Sequence, residues 1–170
     1  MKILETTRLT IRHFLPEDLD ALYMLYCDPE AKKFIPDAPR TFQETQEELE
    51  WFLNGHPEHP DLGLWAAVDK QTHQLAGRVG LLPWVIDDRK EVEVAYLIAN
   101  KYRRQGLATE AALALLHYGF EQLQLSRLIC LIDQENLASI KVAEKIGMRF
   151  EKHGKDAIGP FLLYSRNKSL

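Results

Sequence analysis

A chain of 170 residues, 46% hydrophobic and 27% charged, is long enough for one proper core and too short for two, so a single domain over 1–170 is expected. The net charge of −4 disfavours a general nucleic-acid binder, and no uncharged stretch approaches the roughly 20 residues that span a bilayer. Cys27 and Cys130 lie far apart with no metal-type neighbours, and MKILETTRLT has no signal-like apolar run, so a cytoplasmic protein with reduced thiols is expected.

Leu9–Arg12 alternates and reads as a first strand. Pro16 and the acids around it open a helix that runs to about Cys27 and stops before Asp28-Pro29. Pro29, Pro36 and Pro39 make residues 28–40 largely loop. Thr41-Phe42-Gln43-Glu44 fits a capping box for a second helix ending near Asn54-Gly55. Two strands, Gly63–Asp69 and Gln74–Val85, flank the Lys70–His73 turn, and the polar Asp87–Lys90 turn leads into a strand over Glu91–Ala99. A long helix follows residue 106, with Ala108, Ala111, Leu115, Gly119 and Leu123 forming a small, apolar packing stripe. Arg127–Asp133 reads as a buried strand, Leu137–Ile146 as a short helix ended by Gly147, and the remainder as two closing strands. No repeat or linker interrupts this α/β unit.

The strand-to-helix turn Arg103-Arg104-Gln105-Gly106-Leu107-Ala108-Thr109 carries the strongest functional signal. A helix N-terminus presents unsatisfied N–H groups and the positive end of the helix dipole. Gly106 removes a Cβ from the approach of an anion, Ala108 keeps the next turn small, and two arginines add phosphate-type donors. The same residues would equally serve a plain turn with solvated arginines. Neither G-x-x-x-x-G-K-[ST] nor a strand followed by G-x-G-x-x-G occurs, which disfavours a nucleotide kinase or dinucleotide enzyme.

Arg103-x-x-Gly106-x-Ala108 after an apolar strand resembles the R/Q-x-x-G-x-G/A signature of the GNAT superfamily of N-acetyltransferases. Thr7–Arg12 resembles the opening of the branch containing the ribosomal-protein N-terminal acetyltransferases, and Glu93-Val94-Ala95-Tyr96 resembles its E-I-G-Y strand. Asn136-Leu137-Ala138-Ser139 with Glu144-Lys145-Ile146-Gly147 resembles its N-x-x-S…E-K-x-G helix. These segments follow the family's order along nearly the whole chain. The resemblance implies a mixed, twisted central sheet of about six to seven strands, splayed in the middle, with helices on both faces. It also implies acetyl-CoA as co-substrate, with its pyrophosphate on residues 103–109. The backbone of Tyr96, Leu97 and Ile98 would pair with the pantetheine amides like an added strand.

Acetyl transfer to an amine needs a proton acceptor, a polarised thioester and a stabilised thiolate. Glu93, in mid-strand on one face with Glu91 and Ala95, is the candidate base; Glu91, near the turn, reads as part of a solvated face. Asn136 fits a helix N-cap, and the resemblance adds contact with the pantetheine arm or the acceptor. Ser139 is, by the same resemblance, the group that reaches the departing sulfur. Many GNAT enzymes place a tyrosine acid seven residues after this asparagine, where this chain has Ala143. Cys130 reads as core. Trp51, Trp65 and Trp84 suit an acceptor cleft, the core or the surface equally well. His56-x-x-His59 lacks a third ligand, so no metal is expected.

The expected activity is transfer of the acetyl group of acetyl-CoA to a primary amine, possible acceptors being a protein N-terminus, an antibiotic, a polyamine or a metabolite. A non-catalytic acyl-CoA sensor on the same fold is the rival, and monomer and homodimer both stay open.

Overall fold

Asp87 and Asp88, with φ of 49° and 61°, form the two-residue turn that folds the middle of the chain into a long hairpin. This hairpin pairs β4 (Leu75–Ile86) with β5 (Arg89–Ile98) from Gly77 opposite Ile98 to Ile86 opposite Arg89. The computed structural model describes residues 1–169, and of Lys32 the backbone alone. Around the hairpin lie β1 (Lys2–Glu5), β2 (Leu9–Arg12), β3 (Gly63–Asp69), β6 (Arg127–Ile132), β7 (Arg149–Lys155) and β8 (Pro160–Asn167). They form one eight-stranded sheet in the order β1-β2-β3-β4-β5-β6-β8-β7. Each neighbouring pair is antiparallel except β5 and β6.

The sheet is mixed and α/β as expected, with one strand beyond the six to seven anticipated. The addition is β1, whose four residues pair with β2. Residues 28–40 also depart from the expected loop, because Pro29–Phe34 forms a short helix, α2. Proline is favoured at a first helical position, and the Asp28 carboxylate caps the turn by accepting the Glu30 amide at 3.0 Å. Before it, a 3₁₀ turn over Pro16–Asp18 leads into α1 (Leu19–Cys27). The expected capping box opens α3 (Phe42–Asn54), with Glu44 N–H donating to Thr41 Oγ1 at 3.1 Å.

Helices cover both faces. On one, α4 (Leu107–Glu121) and α5 (Leu137–Lys145) bury Ala111, Leu115, Ala143 and Ile146 against Val79, Leu81, Val94 and Ile98. Gly119 lets α4 lie close, since a Cβ there would stand 2.8 Å from Leu128 Cδ1. On the other face, α1 and α3 bury Leu22, Tyr26, Leu49 and Phe52 over Leu64 and Ala66, with Leu82, Ala95 and Leu97 packed alongside. Between the two halves the sheet opens: β5 and β6 are in register only at Glu93 and Ile129.

Candidate active site

Main-chain alternation decides what this opening offers. Ala99 N–H donates to Ala76 O at 2.8 Å, so Leu97 and Ala95, two and four residues back, also aim their main-chain groups at β4. Val94, Tyr96 and Ile98 therefore turn theirs toward the gap. Two of these carbonyls are taken: Cys130 Sγ–H donates to Val94 O at 3.4 Å, and Arg103 Nε to Ile98 O at 2.9 Å. The Tyr96 amide and carbonyl and the Ile98 amide line an edge suited to an extended amide-bearing ligand.

At the end of that edge, Gly106 is the N-cap of α4 with φ of +80°, a conformation that favours glycine. The positive φ shows that Gly106 serves the turn itself as well as leaving space for an anion's approach. The amides of Leu107, Ala108 and Thr109 form the first turn, pointing at the cleft mouth. Arg104 is exposed, also with a positive φ, and Gln105 is exposed and donates to Lys101 O at 3.1 Å. Arg103, expected as a phosphate donor, also spans the loop: besides Ile98 O it holds Asp28, Nη2 to Oδ2 at 2.7 Å.

The N-terminal segment braces this turn, a role that its sequence did not disclose. Glu110, in the first turn of α4, accepts from Thr6 Oγ1 at 2.6 Å, Arg8 N at 2.8 Å and Arg8 Nε at 2.7 Å. Arg8 Nη1 reaches on to Gln105 O at 2.7 Å. These bonds hold the Glu110 carboxyl below its usual range, although partial burial pushes the other way.

Glu93 lies where β5 and β6 part. Burial pushes its carboxyl up to about 7; hydrogen bonds from Trp84 and the Leu131 amide, and the charge of Arg78, oppose that rise. Trp84 Nε1 donates to Glu93 Oε2 at 2.7 Å and so fixes one oxygen. A carboxylate poised near neutrality in a cleft can accept a proton from an amine. Of the three tryptophans, Trp84 and Trp51 border this cleft, while Trp65 is buried edge-on to Tyr118 in the core.

Glu91 corrects its expected place on a solvated face. It is 6% exposed, its carboxylate bound by Arg127 Nε at 3.1 and 3.2 Å and paired with Arg89. The arginine arrives from β6, which adjacent sequence could not indicate.

Across the gap, Asn136 caps α5, its Oδ1 accepting the Ser139 amide at 3.2 Å. Tyr96 Oη donates to Ser139 O at 3.1 Å, so β5 is tied to the first turn of α5 across the opening. Ser139 is half-buried beside the cleft, whereas Ala143 is fully buried in the core. Burial raises the Cys130 thiol well above its usual range, which makes it inert packing with one weak hydrogen bond. The cleft, of about 1420 Å³, joins Glu93, the free β5 edge, the α4 turn, Asn136 and Ser139. His56 and His59 lie with ring centroids 5.0 Å apart and planes tilted by 44°, with His56 Nδ1 accepting two backbone amides, and no group of three metal-ligating side chains occurs among the described residues.

Residues 8–149 match the model of the acetyltransferase (GNAT) domain. The chain belongs to the GNAT acetyltransferases. YkkB of Bacillus subtilis, an uncharacterized protein, is 33% identical over 164 residues, which cover 96% of this chain and 94% of YkkB. A GNAT-family acetyltransferase from Bacillus anthracis superposes with a TM-score of 0.82 at 27% identity, covering 98% of each chain. The ribosomal alpha-N-protein acetyltransferase RimL, solved in complex with coenzyme A, shares the fold with a TM-score of 0.81 at 17% identity over 98% of each chain. As a GNAT enzyme, the chain uses acetyl-CoA as co-substrate. No helix among the described residues is long and apolar enough to cross a membrane.

Proposed function

We propose that this enzyme acetylates the α-amine of a peptide N-terminus in a ternary complex, with Glu93 as the base. The observation that carries this reading is a carboxyl with a pKa of about 7, fixed by Trp84, where the coenzyme gap meets the open cleft. A base of that strength suits an α-amine, with a pKa near 7.7–8.0, better than a lysine side chain near 10.4, which holds its proton far more tightly.

Acetyl-CoA supplies the activated acetyl group. The α4 turn, through the amides of Gly106 to Thr109 with Arg104 and Gln105, binds its pyrophosphate; Arg103 sets the shape of that loop by holding Asp28. The main chain at Tyr96 and Ile98 orients the pantetheine arm, while Leu97 adds its side chain to the cleft wall. Asn136 fixes the first turn of α5, and the Ser139 hydroxyl stabilises the departing sulfur. With Ala143 where many relatives carry a tyrosine, Ser139 or water serves the leaving group. A thiol pKa of about 8.5 makes that a modest demand. RimL, an alpha-N-protein acetyltransferase, shares this fold.

The test is release of free thiol from acetyl-CoA with peptides and small amines, followed by mass spectrometry. A peptide with a free N-terminus should be acetylated better than the same peptide blocked there and bearing only lysine. Acetyl groups on lysine alone, or on small amines alone, would remove the N-terminal assignment and leave the acetyltransferase.

A further inference from the structure

The half of the cleft away from the α4 turn holds a side chain to which nothing above assigns a ligand. Arg78 projects from β4 on the face it shares with Leu82, and through strand pairing with Glu93, Ala95 and Leu97. It is partly buried, and its Nε is shut off from solvent without a hydrogen-bond partner. Among the described residues the Arg78 side chain makes no hydrogen bond and no ion pair. Its guanidinium instead lies against the Tyr26 ring, 5.3 Å from the centroid.

A guanidinium withdrawn from water and left without an oxygen acceptor is costly. The nearest candidate to compensate it, Glu48 of α3, is engaged elsewhere: its carboxylate accepts the Tyr26 hydroxyl, and burial pushes it toward the neutral form. The remaining cations that line the cleft, Arg103, Arg104, Lys141 and Lys145, come from the α4 turn and α5, the side assigned to the coenzyme. Arg78 is thus the sole lysine or arginine among the described residues lining the acceptor side. Its charge also reaches Glu93.

We propose that Arg78 is the acceptor's anchor, and that the preferred acceptor is an amine that also carries a carboxylate. The planar fork of donors matches a carboxylate in a two-point contact, and Tyr26 behind it holds the fork toward the cleft. The carboxylate would meet the terminal nitrogens of the fork, since Nε itself is closed off, and so give the guanidinium the acceptor it lacks while the amine, held by the same molecule, reaches Glu93. This inference rests on the acetyltransferase reading and narrows its substrate class. The carboxylate has two sources: the α-carboxylate of a free amino acid, or an acidic side chain close to a peptide N-terminus.

The experiment compares carboxylate and amide forms of otherwise identical acceptors, with the full chain and acetyl-CoA. One pair is alanine and alaninamide; the second is a peptide beginning with glutamate and the same peptide beginning with glutamine; 1,4-diaminobutane is the cationic control. In at least one pair the carboxylate form should have a KM lower by about 10- to 100-fold, the range of a charge-assisted hydrogen bond, and the pair that shows it identifies the source. Arg78→Gln should erase that gap while acetyl-CoA affinity holds, the two forms of each pair being compared within the same variant. Arg78→Lys, which keeps the charge and loses the fork, should retain part of the preference. Equal KM values in both wild-type pairs would overturn the proposal, and that comparison needs no variant to fold. Diaminobutane acetylated better than every carboxylate form would overturn it too, while leaving the acetyltransferase intact. Coenzyme binding with no amine acetylated would instead overturn the reading beneath it, and this inference with it.

Discussion

Glu93, the proposed base, would link catalysis and stability through one proton. Its folded pKa of about 7 stands above the ordinary glutamate value near 4.3, so the folded state binds that proton more tightly than the unfolded chain does. Stability from this group is therefore fullest at the acid end of the window and falls as pH rises through about 7. Glu93→Gln removes the cost of a buried charge, and the variant should gain on wild type between about pH 5 and pH 8, by about 1–3 kcal/mol in denaturant titrations. The same substitution should lower turnover by about 10²–10⁴-fold while acetyl-CoA affinity holds. A variant equal to wild type in both measurements would return Glu93 to a packing role. Trp84→Phe deletes the N–H that favours the charged carboxylate, so the acid limb of kcat/KM should move to higher pH. An unmoved limb would mean that Trp84 does not set the base. Sequence alone pointed to Glu93 by its place in the strand, but its partner nine residues away depends on the β4–β5 register. Glu91 was misjudged for the same reason, since Arg127 comes from β6.

Among elements, the start of α4 is legible from sequence and its bracing is not. Arg103 to Thr109 carries glycine and arginines in a recognisable spacing, whereas Glu110 looks like any first-turn acid. Only folding brings Thr6 and Arg8 to it, across about a hundred residues of chain. Four-residue β1 and six-residue α2 escape for a related reason: each is too short for a periodic pattern and is specified by its neighbours. The bracing makes a measurable claim. Glu110→Ala leaves the Thr6 hydroxyl and two Arg8 donors without their acceptor, which should cost about 1–3 kcal/mol of stability. Because the same contacts fix the α4 turn, acetyl-CoA should also bind several-fold more weakly, as calorimetry would register. Lost stability with unchanged affinity would separate the brace from the binding loop.

For the molecule as a whole, the sheet is two antiparallel blocks joined by one short parallel contact, Glu93 with Ile129. Neither block can close the gap, because Val94, Tyr96 and Ile98 face an edge from which β6 has already diverged. An extended ligand with amides of its own would complete the sheet there, and in the proposed function the coenzyme supplies that missing strand. Two consequences follow at this scale. Acetyl-CoA at about a hundred times its Kd should stabilise the fold by about 2.7 kcal/mol, raising the melting temperature. More specifically, hydrogen exchange should distinguish adjacent residues of β5. The Leu97 amide, turned toward β4, should be protected with or without the coenzyme. The Tyr96 and Ile98 amides, turned toward the gap, should gain protection when acetyl-CoA is added. Since Tyr96, Leu97 and Ile98 are consecutive, general tightening of the strand would protect all three alike. Alternating protection would require a ligand lying along the edge itself, and its absence would mean that the pantetheine arm takes another path.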